Sequence, residues 1–340
     1  MKRRRSLAAL LTVVLLGSGC SGKPQNTLPS VDSANCLTVY TSHPEEIYAP
    51  LIEEFEDRTG IWVQVVAGKS GELLARIDEE SEQPRADIMF GGGGDSLEDY
   101  RDRFASYRSA ECDAITNPAF CGTDHRWTGF SLLPLVFVYN SKLVSERDAP
   151  TGWRNLTDAK WTGRIAFASP AVSGSCYTAL ATMVQVYGEE FAARFARNLK
   201  GRCADGSGDI IPLVADGTYS VGITLESTVQ KAIADGAEVA YLYPEDGTSA
   251  VSDGVAILKD APHRENAEKF VDFMLGWDAQ SFLCETIKRR PVREDITIQG
   301  ESKLENLNLI DYDLNWAARE KNALVALWQR EYEAGGGDGA

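Results

Sequence analysis

The sequence predicts an α/β protein of two lobes, each a mixed, mostly parallel sheet flanked by helices, with crossing strands as the hinge. Three observations lead there. β-rich and helical segments alternate from Leu37 onward, and such alternation builds parallel sheets covered by helices. About 300 residues lie between the polar end segments, enough for two separate cores. An apolar run at 132–139 (Leu-Leu-Pro-Leu-Val-Phe-Val-Tyr) then reads as a strand leaving the first sheet for a second.

Taken in order, Leu37–Thr41 is the first strand. Ile47, Leu51 and Phe55 recur at four-residue spacing ahead of Gly60, the pattern of a helix and its stop. Ile61–Val66 reads as a strand, Ser70–Glu82 as a helix and Ala86–Phe90 as a third strand. Beyond the crossing run, strands recur at 164–167, 220–224 and 239–243, with helices at 176–187 and 189–198 among them. After an apolar strand at 254–258, Ala267, Phe270, Val271, Met274 and Leu275 line one face of an amphipathic helix. A helix around Trp316–Tyr332 closes the chain. The expected divisions are 1–19 signal, 20–34 tether, 35–131 first lobe, 132–246 second lobe, 247–298 return to the first lobe, 299–333 closing helices and 334–340 disordered tail.

The amino terminus carries an export signal. Lys2, Arg3, Arg4 and Arg5 precede the apolar run Leu7–Leu16, which is too short for a permanent span. The run ends in Leu-Gly-Ser-Gly-Cys at 16–20, which resembles the lipobox of bacterial lipoproteins, with Gly17 where that family more often has Leu. The resemblance implies lipidation at Cys20 and anchoring on the outer face of the cytoplasmic membrane; the alternative is an ordinary signal and an incidental thiol. The Ser-, Pro- and Asn-rich stretch that follows reads as a flexible tether.

Removing the four basic residues that precede Cys20 takes the formal charge from −16 to −20. Such acidity excludes nucleic acid as a partner, because phosphate binding needs clustered Lys and Arg. It also leaves the acyl group, rather than charge, to hold the membrane. Of seven cysteines, Cys20 accounts for the odd one. The remaining six read as disulfides in an exported chain, and six allow fifteen pairings; the expected set is Cys112–Cys121, Cys176–Cys203 and Cys36–Cys284. No metal site is expected, since CxxC and HxxxH spacings are absent. No cofactor is expected either.

Three polar loops precede helices: Lys69-Ser70-Gly71, Ser173-Gly174-Ser175 and Gly206-Ser207-Gly208. Serine caps free amides, glycine admits a ligand to the backbone, and a helix amino terminus suits an oxyanion. Ser-Gly also starts many helices that bind nothing. Gly68-Lys69-Ser70 is not a Walker loop, because Val63 stands where the first Gly belongs, and Gly91–Gly94 is not a dinucleotide turn, because the last Gly falls on Ser96. That glycine run, with Gly92 and Gly93, reads as backbone passing close to a ligand or the other lobe. No GxSxG motif is present, and His43, His125 and His263 show no local nucleophile–base pattern. The expectation is therefore a binding protein rather than an enzyme.

Segments 37–46 (Leu-Thr-Val-Tyr-Thr-Ser-His-Pro-Glu-Glu), 55–60 (Phe-Glu-Asp-Arg-Thr-Gly) and 86–93 (Ala-Asp-Ile-Met-Phe-Gly-Gly-Gly) resemble the opening of the family-1 extracellular solute-binding proteins, in their ferric iron or phosphonate branch. Segments 161–167, 216–224, 267–273 and 289–295 agree, so the resemblance spans most of the mature chain. It implies a type II periplasmic-binding fold closing on a small solute, and delivery to ABC permease subunits driven by a separate ATPase. A monomer is expected. Ferric binders of that family carry a tandem tyrosine after the strand matching 221–224; here Leu225-Glu226-Ser227-Thr228 stands there. Phenolate and carboxylate oxygens suit Fe(III), so the missing pair favours a phosphonate or phosphorylated metabolite, with ferric iron as the alternative. A sensor for a membrane receptor and a surface phosphoester enzyme are the readings from other classes.

The expected ligand contacts are Thr41, Ser42 and His43 after the first strand, with Lys69, Ser70, Gly92 and Gly93 beside them. The second lobe would add Ser173, Gly174, Ser175, Ser207, Thr224, Glu226 and Tyr243. The plainer roles are a helix cap for His43, a surface charge for Lys69, a hinge salt bridge for Glu226 and hinge packing for Tyr243. Arg289, Arg290 and Arg293 read as structural ion pairs.

Overall fold

A computed structural model describes residues 33–296 and 306–336. The expected signal, Cys20 and most of the tether lie outside the described residues. The first lobe opens with β1 (Cys36–Thr41), α1 (Glu45–Thr59), β2 (Trp62–Ala67), α2 (Ser70–Glu79), β3 (Ile88–Gly93) and the short α3 (Gly94–Asp99). β1 pairs in parallel with β2 on one side and β3 on the other. Gly60 ends α1 in the left-handed region at φ 70°, where a residue without Cβ is unstrained.

β4 (Thr128–Asn140) then runs through both halves of the molecule. Its first part, to Pro134, pairs with β8 (Ala250–Ile257), and from Leu135 it pairs with β6 (Val221–Leu225). The change of partner thus falls three residues after the lobe division expected at 131/132. The second lobe adds β5 (Ile165–Ala166), α4 (Gly174–Tyr187), α5 (Glu189–Asn198), α6 (Ile210–Ala215), α7 (Glu226–Ala234) and β7 (Val239–Leu242). β8 returns to the first lobe antiparallel to β3 and is followed by α8 (Arg264–Leu275), α9 (Trp277–Glu285) and the two-residue β9 (Arg290–Pro291) against β4. Among the described strands, parallel pairing occurs in β2–β1–β3 and β5–β6. The crossing strands β4 and β8 make the sheets mixed.

Each lobe has its own aromatic centre. Phe90 packs edge-on against Phe130 and Phe270 at 4.7 and 5.8 Å in the first lobe. In the second, Phe137 meets Trp153 at 4.9 Å and Phe167 meets Phe195 at 5.1 Å. Burying one such ring contributes about 2 kcal/mol, and the buried apolar residues of the two lobes form separate clusters.

The closing helix, α10 (Leu314–Gly336), overruns the disordered tail expected from 334. A Cβ on Gly335 would meet the Arg197 carbonyl oxygen at 2.5 Å. That glycine serves close packing on α5, not a loose end. None of the three expected disulfides is closed. The thiols of Cys112 and Cys121 hydrogen-bond each other, and Cys176 lies within electrostatic reach of Cys203. Packing brings these pairs together, but the bonds themselves need an oxidant. Cys36 Sγ instead faces His263 Nε2 at 3.2 Å, whereas Cys284 is buried in α9.

Candidate functional site

The carboxyl ends of β1, β2 and β3 and the amino end of α4 face one another across the crossing strands. Between them lies a cavity of about 370 Å³. The first lobe supplies Ser42, His43, Lys69, Ser70, Gly92 and Gly93, and the second supplies Ser173, Gly174, Ser175 and Ser207. β4 and β8 form its floor through Leu133, Leu135, Val251 and Asp253. A ligand there would touch both lobes and both hinge strands.

The glycines are explained by close approach. Gly91 and Gly92 have φ of 103° and 88°, and a Cβ on Gly91 would meet Ser42 Oγ at 2.5 Å. Ser173 caps α4, accepting from the Cys176 amide at 3.3 Å, as serine at a helix start should. Ser70 does something else. Its Oγ accepts from the Gly174 amide of the opposite lobe at 3.2 Å. Lys69 Nζ likewise donates across the cleft to the Asp205 carbonyl at 3.0 Å. Behind them, Asp95 Oδ2 accepts from Thr178 Oγ1 at 2.8 Å and from the Tyr312 hydroxyl at 2.7 Å.

At the floor sits a buried polar cluster that local sequence patterns do not show. Arg289 Nη1 donates to Asp253 Oδ2 at 2.9 Å, to Ser131 Oγ at 3.3 Å and to His43 Nδ1 at 3.3 Å. Because a guanidinium can only donate, Nδ1 is the acceptor and the imidazole carries its proton on Nε2. Burial, with the Arg289 charge beside it, holds the His43 pKa well below its usual value. Nε2 lies 3.4 Å from Asp253 Oδ2 without a hydrogen bond, and with the imidazole held neutral this contact is not an ion pair. Burial pushes the Asp253 carboxyl up, while Arg289 opposes that shift. Asp253 was not singled out from the sequence; its one signal is a lone carboxylate inside an otherwise small and apolar strand.

Four expected contacts lie outside the cavity lining: Thr41, Thr224, Glu226 and Tyr243. Thr41 Oγ1 accepts from the His43 amide at 3.1 Å, turning the chain rather than facing solute. Thr224 is buried within β6. Glu226 is 2% exposed and its carboxylate is taken by Arg290, from Nε at 2.7 Å and Nη2 at 2.8 Å. The Tyr243 hydroxyl donates to the same carboxylate, and burial with that charge raises its pKa. Glu226 therefore makes the hinge salt bridge, joining α7 of one lobe to β9 of the other.

Two α/β lobes closed on a polar cavity across two crossing strands define a binding protein of the type II periplasmic class. The chain belongs to the family described as bacterial extracellular solute-binding protein, which matches residues 100–315. It is similar to Iron uptake protein A1 of Synechocystis sp., at 29% identity over 89% of this chain and 91% of that one. It is also similar to a putative 2-aminoethylphosphonate-binding periplasmic protein of Salmonella typhimurium, at 25% identity over 87% of each. Among solved structures, the periplasmic binding protein AfuA of Actinobacillus pleuropneumoniae, with fructose-6-phosphate bound, matches with a TM-score of 0.80. The two are 26% identical over 87% of this chain and 98% of that one. The family and fold expected from the sequence are thereby established.

Proposed function

We propose that this protein captures a small anionic solute, a phosphonate or phosphorylated metabolite, outside the cell and delivers it to the permease of an ABC importer driven by a separate ATPase. One observation carries the reading. The amino terminus of the 14-residue α4, with Ser173, Gly174 and Ser175, opens into a cavity that Lys69 also lines. The positive end of the helix dipole, the serine hydroxyls and a cation would stabilise an oxyanion there, the ligand taking the Gly174 amide over from Ser70. The names of two relatives, one a putative 2-aminoethylphosphonate-binding protein and one with fructose-6-phosphate bound in its structure, agree with that chemistry.

Ferric iron is the second reading, favoured by the name of the Synechocystis relative. No tyrosine lines the cavity among the described residues, and Tyr243 is tied to Glu226. That donor set suits an oxyanion better than a hard trivalent cation. Lipidation at Cys20 would keep the protein on the outer face of the membrane as a monomer. The pairs Cys112–Cys121 and Cys176–Cys203 would close in that oxidising compartment.

A thermal-shift panel of 2-aminoethylphosphonate, fructose-6-phosphate, inorganic phosphate and ferric citrate tests the ligand class. A ligand at a hundred times its Kd adds about 2.7 kcal/mol, a rise of several degrees in Tm. A rise with a phosphorus oxyanion, lost in Ser175→Ala, supports the reading. A rise with ferric citrate alone, with a visible charge-transfer band, overturns it. Labelling with radioactive palmitate that persists in Cys20→Ser would overturn the anchor.

A further inference from the structure

Arg289 and Arg290 are chain neighbours with the same side chain in opposite situations. Arg290 opens β9, whereas Arg289 lies just before it, and the two side chains find different partners. Arg290 uses Nε and Nη2 together, as a two-toothed fork on the Glu226 carboxylate, at 2.7 and 2.8 Å. Among the described residues, Arg289 makes all of its side-chain hydrogen bonds through Nη1. Its Nε is buried without a partner, and Nη2 makes no hydrogen bond among the described residues. The residue is 6% exposed and lines the cavity. A buried donor left unmade is costly, and a guanidinium edge of two parallel N–H groups matches the oxygens of a carboxylate or phosphate.

We propose that the Nε–Nη2 edge of Arg289 is the anchoring fork for the solute's oxyanion. Arg289, not only the α4 terminus, then sets the preference for anions. The inference rests on the reading of the cleft as an anion site, and it gives that site a buried permanent cation. It also explains the hydrogen bonds on the other side of the guanidinium. Asp253 on β8 and Ser131 on β4 aim the fork, so both crossing strands are in contact with the residue that grips the ligand. A bound oxyanion would be to Arg289 what the Glu226 carboxylate is to Arg290. The sequence pattern 289–290, two arginines ahead of Pro291, thereby divides into one ligand contact and one hinge tie.

The test compares wild-type protein with Arg289→Lys and with the double variant Arg289→Gln/Asp253→Asn. Lysine keeps the charge and the Asp253 partner but has no fork. The double variant keeps the buried site neutral and hydrogen-bonded, which guards against simple misfolding. Kd values for 2-aminoethylphosphonate, fructose-6-phosphate and inorganic phosphate are measured by calorimetry, beside urea midpoints. The expected result is a Kd at least tenfold weaker in Arg289→Lys and a hundredfold weaker in the double variant, with folding retained in both. A folded variant that binds as tightly as wild type overturns the Arg289 assignment and leaves the anion reading standing. A wild-type protein that binds none of the three overturns both.

Discussion

The hydroxyl of Ser70 in the first lobe accepts a hydrogen bond from the backbone amide of Gly174 in the second, at 3.2 Å. A helix amino-terminal amide that a ligand anion would claim is thus held, in this closed arrangement, by the opposite lobe. Ser70→Ala removes the tie. The expected outcome is a larger radius of gyration for the ligand-free protein by small-angle scattering, and a several-fold weaker Kd. An unchanged radius would mean that the Asp95–Thr178 and Lys69–Asp205 contacts hold closure without Ser70.

The buried, neutral His43 makes the fold sensitive to acid. Its folded pKa is depressed by burial and by Arg289, while in the unfolded chain it titrates near about 6.5. Below that pH the unfolded state binds a proton that the folded state refuses. Stability present above about pH 6.5 is therefore lost as pH falls, by at most about 1.4 kcal/mol per pH unit. Asp253, 3.4 Å away with a raised folded pKa, contributes in the opposite direction. Urea midpoints from pH 7.5 to 5 should fall less steeply in His43→Gln than in wild type. Parallel slopes would place the acid sensitivity elsewhere.

Glu226 is predicted to matter for folding and not for ligand chemistry. Its carboxylate is buried against Arg290, also buried, and Tyr243. Removing one partner of such a pair costs about 3 kcal/mol. Glu226→Gln should lower the urea unfolding free energy by about that much while Kd changes less than threefold. A large loss of affinity in a stable variant would return Glu226 to the binding site.

The paired thiols give a prediction about export. The Cys121 hydrogen bond lowers the Cys112 pKa, and burial opposes that shift without outweighing it. A thiol whose ionisation is favoured by its hydrogen-bonded partner is suited to disulfide formation. Protein secreted to an oxidising compartment should yield a Cys112–Cys121 peptide under non-reducing digestion. Closing so short a loop adds about 2–3 kcal/mol to stability, and Cys112→Ser with Cys121→Ser should lose it. Recovery of both thiols unpaired from exported protein would reject the bridge.

Much of this molecule is legible in the chain itself. Strand–helix alternation, the apolar run at 132–139 and the segments shared with solute-binding proteins determine the two-lobed class. Short loops ahead of helices point to Ser42, Lys69, Ser70 and Ser173–Ser175, because a loop and the helix it opens are adjacent in sequence as in space. What the tertiary structure decided are matters of distant pairing. Arg290 finds Glu226 and Arg289 finds Asp253 across |i−j| of 64 and 36. Nothing in local periodicity says which of two neighbouring arginines keeps an open donor edge. Glu226 and Tyr243 look like ligands until the arginine that occupies them is in view. The helical Gly335 looks like tail until α5 is beside it. Propensity and pattern act over a turn or a strand, whereas a buried charge is defined by whatever the folded chain brings within about 4 Å of it.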